Sequence, residues 1–132
     1  MNEAVDIFEV EQTDDFNAKV KRFVKKKKFV NLPSQIRDLV SDLRKGDFPG
    51  VVIRRMDFPV KYDIYKLRLP NKDTNEGKSN GYRIYYSVML EDELALLVTI
   101  YYKKETESLA EHFIDGLIEG YLLAQSDAGE ED

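Results

Sequence analysis

The spacing of apolar positions changes period several times along the chain, and each change marks an element. In IFEVEQ, residues 7–12, apolar and polar side chains alternate as in a short strand. From Thr13 the period lengthens. Phe16, Val20, Phe23 and Val24 recur at helical spacing through TDDFNAKVKRFVKKKKF, with Asp14 or Asp15 placed to cap the helix. A second helix is predicted to start near Pro33 or Ser34 and to bury Ile36, Leu39, Val40 and Leu43. It should stop at Gly46, since glycine tolerates the left-handed conformation just past a helix end. FPG at 48–50 reads as loop. Three β-rich runs follow: VVIRRM, then YDIYKLRL, then GYRIYYSVML joined by EDE to LALLVTIYY. SLAE at 108–111 has the form of a capping box opening a last helix. Leu109, Phe113, Ile114, Leu117, Ile118, Tyr121 and Leu122 would form its buried side.

The order β-α-α-β-β-β-α predicts an α+β layer fold. An antiparallel sheet of about four strands would pack against two N-terminal helices and one C-terminal helix, as a single domain over 1–124 with a disordered acidic tail at 125–132. One sheet face must meet the helices, and Tyr65, Leu67 and Leu69, then Ile84, Tyr86 and Val88, then Leu96, Val98 and Ile100 are its core-facing sets. Alternation puts Lys66 and Arg68, Arg83 and Tyr85, and Tyr101 with Lys103 on the opposite face. A symmetric hairpin over 70–81 sets Arg68 opposite Arg83 and Lys66 opposite Tyr85. With EDE as the next turn, Arg83 faces Tyr101.

Composition excludes more than it identifies. With 132 residues, 42% hydrophobic and 34% charged, the chain suits one ordinary globular domain. No apolar run approaches the roughly 18–20 residues of a membrane span, and the acidic start MNEAVDIFEVEQ lacks a basic-then-apolar export pattern. There is no cysteine and one histidine, His112, which rules out disulfides and histidine-rich metal sites within one chain. No metal or other cofactor is expected.

Net charge is −5, but its distribution matters more. The first fifteen residues carry six acids and no base, and QSDAGEED carries four acids and no base. All 20 bases therefore lie in 16–124 with the other 15 acids, leaving the body at +5. A mildly basic body permits phosphate binding without demanding it.

Two arginines directly opposite each other destabilise a sheet by a few tenths to about 1 kcal/mol. A phosphate binder gains charge-assisted contacts from the same pair, and neighbouring tyrosines are what single-stranded nucleic acid uses for stacking. The alternative is a solvated face, since Lys, Arg and Tyr are all common on exposed strands. The KKKK run at 25–28 lies at a helix end, where cations complement the dipole, and reads as that before it reads as an RNA patch. His112, early in the last helix, is by default a surface histidine.

In their order, FEVEQTDDFNAKVKRF, two helices, YKLRL, GYRIYY, and an apolar strand ending in YYKKE before a final helix resemble the RelE/ParE superfamily of toxin–antitoxin toxins. The resemblance spans residues 6–122. It implies a small cytoplasmic protein, held by a cognate antitoxin in a hetero-oligomer. The RelE branch cleaves mRNA in the ribosomal A site with basic residues and no metal. On that branch Lys66, Arg68, Arg83 and Lys104 match the catalytic cations, with Tyr85, Tyr101, Lys103 and His112 as RNA-binding candidates. Arg83 and Lys104 would stabilise charge, Lys66 would transfer a proton or position phosphate, and Arg68 would hold the scissile phosphate. The family's tyrosine or histidine near the start of the last helix falls here on Ala110, with His112 and Phe113 close by. The loop PNKDTNEGKSN also exceeds a tight turn. Two other readings stay open: a ParE-like gyrase inhibitor without catalysis, and an inactive or repurposed binding module on the same fold.

Overall fold

The computed structural model describes residues 6–56 and 61–130. In chain order the elements are β1 (Glu9–Gln12), α1 (Asp14–Lys25), α2 (Leu32–Arg44), β2 (Val51–Met56), β3 (Tyr62–Leu69), β4 (Tyr82–Met89), β5 (Leu94–Tyr102) and α3 (Glu111–Glu130). The fold is α+β as predicted, with five strands rather than about four. The sheet is mixed, ordered β1-β5-β4-β3-β2, because β1 runs parallel to β5 while the other pairs are antiparallel. Among the described residues, no helix is long and apolar enough to cross a membrane.

Thr13, not Asp14 or Asp15, caps α1. Its hydroxyl oxygen accepts from the Phe16 amide at 3.0 Å and donates to the Val98 carbonyl at 2.6 Å, so the cap also fastens the helix start to β5. Asp14 and Asp15 occupy the first turn, at the positive end of the helix dipole. α2 begins one residue before Pro33, buries Leu32, Gln35, Ile36, Leu39 and Leu43, and gives way to Gly46 at φ +86°, as its sequence predicts. Val40 is only partly buried.

Both faces of the sheet are covered, which corrects the expectation of one wet face. On one side α1 and α2 bury Phe16, Phe23, Leu39, Ile84, Tyr86 and Ile100. On the other, α3 brings Ile114 and Ile118 against Tyr62, Ile64, Leu96 and Val98. Double coverage explains why every residue of β4 is buried and why LALLVTIYY is nearly continuous in apolar character. Each large apolar side chain so buried stabilises by roughly 1.5–3 kcal/mol.

Leu96 and Val98 face α3 rather than the α1–α2 core, because Val98 is the extra residue of a bulge. Tyr85 pairs Thr99 while Tyr86 pairs Leu97, so alternation along β5 slips by one residue there. α3 starts at Glu111, leaving Ser108 outside the helix and the expected capping box unformed. Phe113 is 38% exposed rather than buried. The helix continues to Glu130, so the segment predicted as a disordered tail is helical as far as it is described. Glu3 of the acidic start and residues 131–132 lie outside the described residues.

β2 reaches β3 through Gly50, whose φ of +99° suits glycine, and a Cβ there would stand 2.5 Å from the Lys66 carbonyl oxygen. Gly50→Ala is expected to lower unfolding stability by about 1–3 kcal/mol. Gly77→Ala, with nothing within 4 Å of its added carbon, should change it by less than about 0.5 kcal/mol. Paired urea titrations compare the two, and equal effects would mean that Gly50 is not strained.

Candidate nucleic-acid interface

Strands β3, β4 and β5 carry the predicted cations to one end of the sheet in the register read from the loops. Arg68 pairs Arg83, Lys66 pairs Tyr85, and Arg83 pairs Tyr101. The bulge at Val98 lies beyond these pairs and leaves their alignment intact. The Lys66 ammonium lies 5.6 Å from the Tyr85 ring centroid. Burial, then the charges of Arg83, Arg68 and Lys103, hold its pKa below the ordinary lysine value. Four cations thus share one neighbourhood, and none makes an ion pair with a described carboxylate.

Their roles differ. Arg68 is exposed. Arg83 is 4% exposed, and its guanidinium donates to the carbonyls of Lys78 at 2.7 Å, Ser79 at 2.9 Å and Tyr82 at 3.2 Å. Burial, then the Arg68 charge, lower its pKa, but so strong a base stays charged. Arg83 therefore binds the 70–81 loop to the sheet. Within that loop the Asn71 side-chain oxygen accepts from the amides of Asp73 and Thr74, and Asn71 bridges Glu76, giving the long connection a fixed shape. Lys103 donates to the Glu107 carbonyl at 3.1 Å.

The remaining candidates lie apart from this cluster or under cover. Lys104 is separate from the cluster, ion-paired at 2.7 Å to Glu76, which also accepts from the hydroxyls of Tyr102 and Thr74. Tyr85 and Tyr101 are each 4% exposed and stack on one another beneath α3, so neither ring offers a free face to a base. Burial pushes the Tyr85 phenol up to about 12 and also raises that of Tyr101. His112 stands exposed in the first turn of α3. In the lysine run, Lys27 joins Arg22 on Glu105 at 3.0 and 2.7 Å, fastening the end of α1 to the segment after β5. Among the described residues no group of three or more His, Cys, Asp or Glu could hold a metal ion.

Beside the cluster a groove of about 360 Å³ is lined by Gly50, Val51, Ile53, Lys66, Arg68 and Lys78, with Pro49 and Leu67. Lys78 was missed in the sequence reading. The signal was present, since a hairpin that closes on Arg68 and Arg83 must place the loop's lysines at the same end. Compared with protein-family models, curated proteins and solved structures, the chain matches none.

Arg83→Ala strips three carbonyls of a charged donor and is expected to cost roughly 2–3 kcal/mol of stability, measured by denaturant titration. An unchanged midpoint would show that the loop is held by other contacts. Glu76 generates a pH prediction. Its three donors, Lys104 foremost, hold its carboxyl down to about 2 from an ordinary 4.5. A depressed folded-state pKa stabilises above the unfolded value and loses that contribution on acidification. The gap in melting temperature between wild type and Glu76→Gln should be full above pH 4.5 and close as pH falls toward 2. A gap independent of pH would show that the Glu76 charge contributes nothing.

Proposed function

We propose that this protein is a toxin of the RelE/ParE kind that cleaves ribosome-bound mRNA and is neutralised by a cognate antitoxin. The observation that carries the reading is Lys66: a half-buried amine of lowered pKa among Arg83, Arg68 and Lys103, with no ion pair to a carboxylate among the described residues. The element order that carries the family resemblance supports it. Cleavage of RNA at a ribose needs a base to take the 2′-hydroxyl proton, charge to stabilise the crowded phosphorane as the 2′-oxygen attacks phosphorus, and a proton for the departing 5′-oxygen. Lowered basicity suits Lys66 to the first task. Exposed Arg68 supplies a planar fork for the phosphate, and Lys103 adds charge beside it. Arg83 acts here by positioning rather than by touching substrate, and Lys104 stays with Glu76.

A second reading, a module that binds polyanions without cutting them, draws support from the occupied donors of Arg83 and the ion pair of Lys104. Expression of wild type and Lys66→Ala, with growth measurement and mapping of mRNA ends, separates the readings. The nuclease reading expects codon-phased cuts that fall by about 10²–10⁴-fold in the variant, whose stability should shift by no more than about 0.5 kcal/mol. RNA binding without cuts selects the binding module. Growth arrest with damaged DNA and intact mRNA selects gyrase inhibition, and no arrest would sink the toxin reading.

A further inference from the structure

The groove beside Lys66 does not end there. A second hollow of about 300 Å³, lined by Gln35, Asp38, Asp42, Leu69, Pro70 and Lys72, shares Pro49, Leu67, Arg68 and Lys78 with the first. Together they form one channel around the outer edge of β3. The edge is open there because β2 pairs β3 only from Val51–Lys66 onward, so Leu67, Arg68 and Leu69 pair β4 on one side and, among the described residues, no strand on the other. Exposed Arg68, Lys72 and Lys78 line the channel, and its walls are apolar at Pro49, Leu67 and Leu69. Asp38 and Asp42 of α2 stand on its far wall, away from the Lys66 end.

We propose that this channel is a second subsite for single-stranded RNA. Lys78 would contact the phosphate next to the one held at Lys66 and Arg68, Lys72 would contact the phosphate after that, and a base would lie against the Pro49–Leu67–Leu69 wall. Charge complementarity favours a polyanion over an acidic peptide, because Arg68 and Lys78 line both hollows and join Lys66 in one to Lys72 in the other. An apolar wall beside cations suits a nucleotide, which carries a flat base and a charged phosphate together. Arg83 is the positioning residue. Its guanidinium grips the carbonyls of Lys78 and Ser79, fixing where the loop presents Lys78. The subsite extends the RNA reading given above and rests on it for its ligand.

The test is fluorescence anisotropy of a labelled single-stranded RNA hexanucleotide, titrated at several salt concentrations with Lys66→Ala, Lys78→Ala, Lys72→Ala, Arg83→Lys and the Lys78→Ala/Arg83→Lys double variant. Lys78→Ala and Lys72→Ala are expected each to weaken binding by about 3–10-fold and to reduce the slope of log affinity against log salt by about 0.7. Arg83→Lys loses the fork on the two carbonyls and should weaken binding as much as Lys78→Ala. In the double variant it should add nothing, an outcome that mere loss of stability would not produce. If Lys66→Ala weakens binding but Lys78→Ala and Lys72→Ala do not, the channel is overturned and the Lys66 site stands. The reverse pattern overturns the Lys66 site and keeps the channel. Wild type that binds no RNA overturns both.

Discussion

A buried arginine opposite another arginine is the constraint on which the basic end of the sheet rests. Setting Arg83 against Arg68 costs up to about 1 kcal/mol by like-charge repulsion, and burying the guanidinium adds a desolvation cost. Three backbone carbonyls offset both, since hydrogen bonds from a charged donor contribute about 1.5–3 kcal/mol each. The result is conditional. Arg83 can stay buried only while the loop keeps its shape, and the loop keeps its shape in part because Arg83 is there.

The other cations of the chain are distributed around that constraint. Carboxylates meet several of them: Glu76 takes Lys104, Glu105 takes Arg22 and Lys27, and Asp115 takes Arg54. Those pairs fasten a loop and the end of α1 to the segment after β5, and β2 to α3. Among the described residues the Lys66 end has no ion-paired acid, although the whole chain carries −5. Local field rather than net charge governs what such a surface attracts, so an acidic chain can still present a polyanion with a favourable approach.

How much of this the sequence discloses depends on the kind of interaction. Strand registers were legible, because hairpin loops fix pairing by counting, and Arg68–Arg83 and Arg83–Tyr101 both stand where counting puts them. The class of the fold was legible from periodicity. The second covering layer was not inferred, although LALLVTIYY carries its mark: a strand buried on both faces loses its alternation. Missing that layer led to Tyr85 and Tyr101 being read as stacking platforms when α3 covers them. The Val98 bulge has no local signature in an all-apolar run, so Leu96 and Val98 were placed on the wrong side. Lys104 was named on the family resemblance alone, and its ion pair with Glu76, distant in sequence, had no local signal.

The long connection between β3 and β4 looks, from sequence, like a departure from a tight hairpin and a weakness in the family resemblance. Its structure gives the extra length a physical use. A two-residue turn would leave Arg83 without the Lys78 and Ser79 carbonyls and would carry no lysine toward β3. Twelve residues, folded on Asn71 and closed by Arg83, satisfy the buried guanidinium and set Lys72 and Lys78 along an open strand edge. The feature that weakens the likeness in sequence is therefore the one that enlarges the basic surface in space. Arg83 gives three hydrogen bonds to backbone carbonyls, whereas Arg68 stands exposed and Lys66 half-buried without an ion pair among the described residues, so the basic surface at this end is presented by residues that the fold leaves uncommitted.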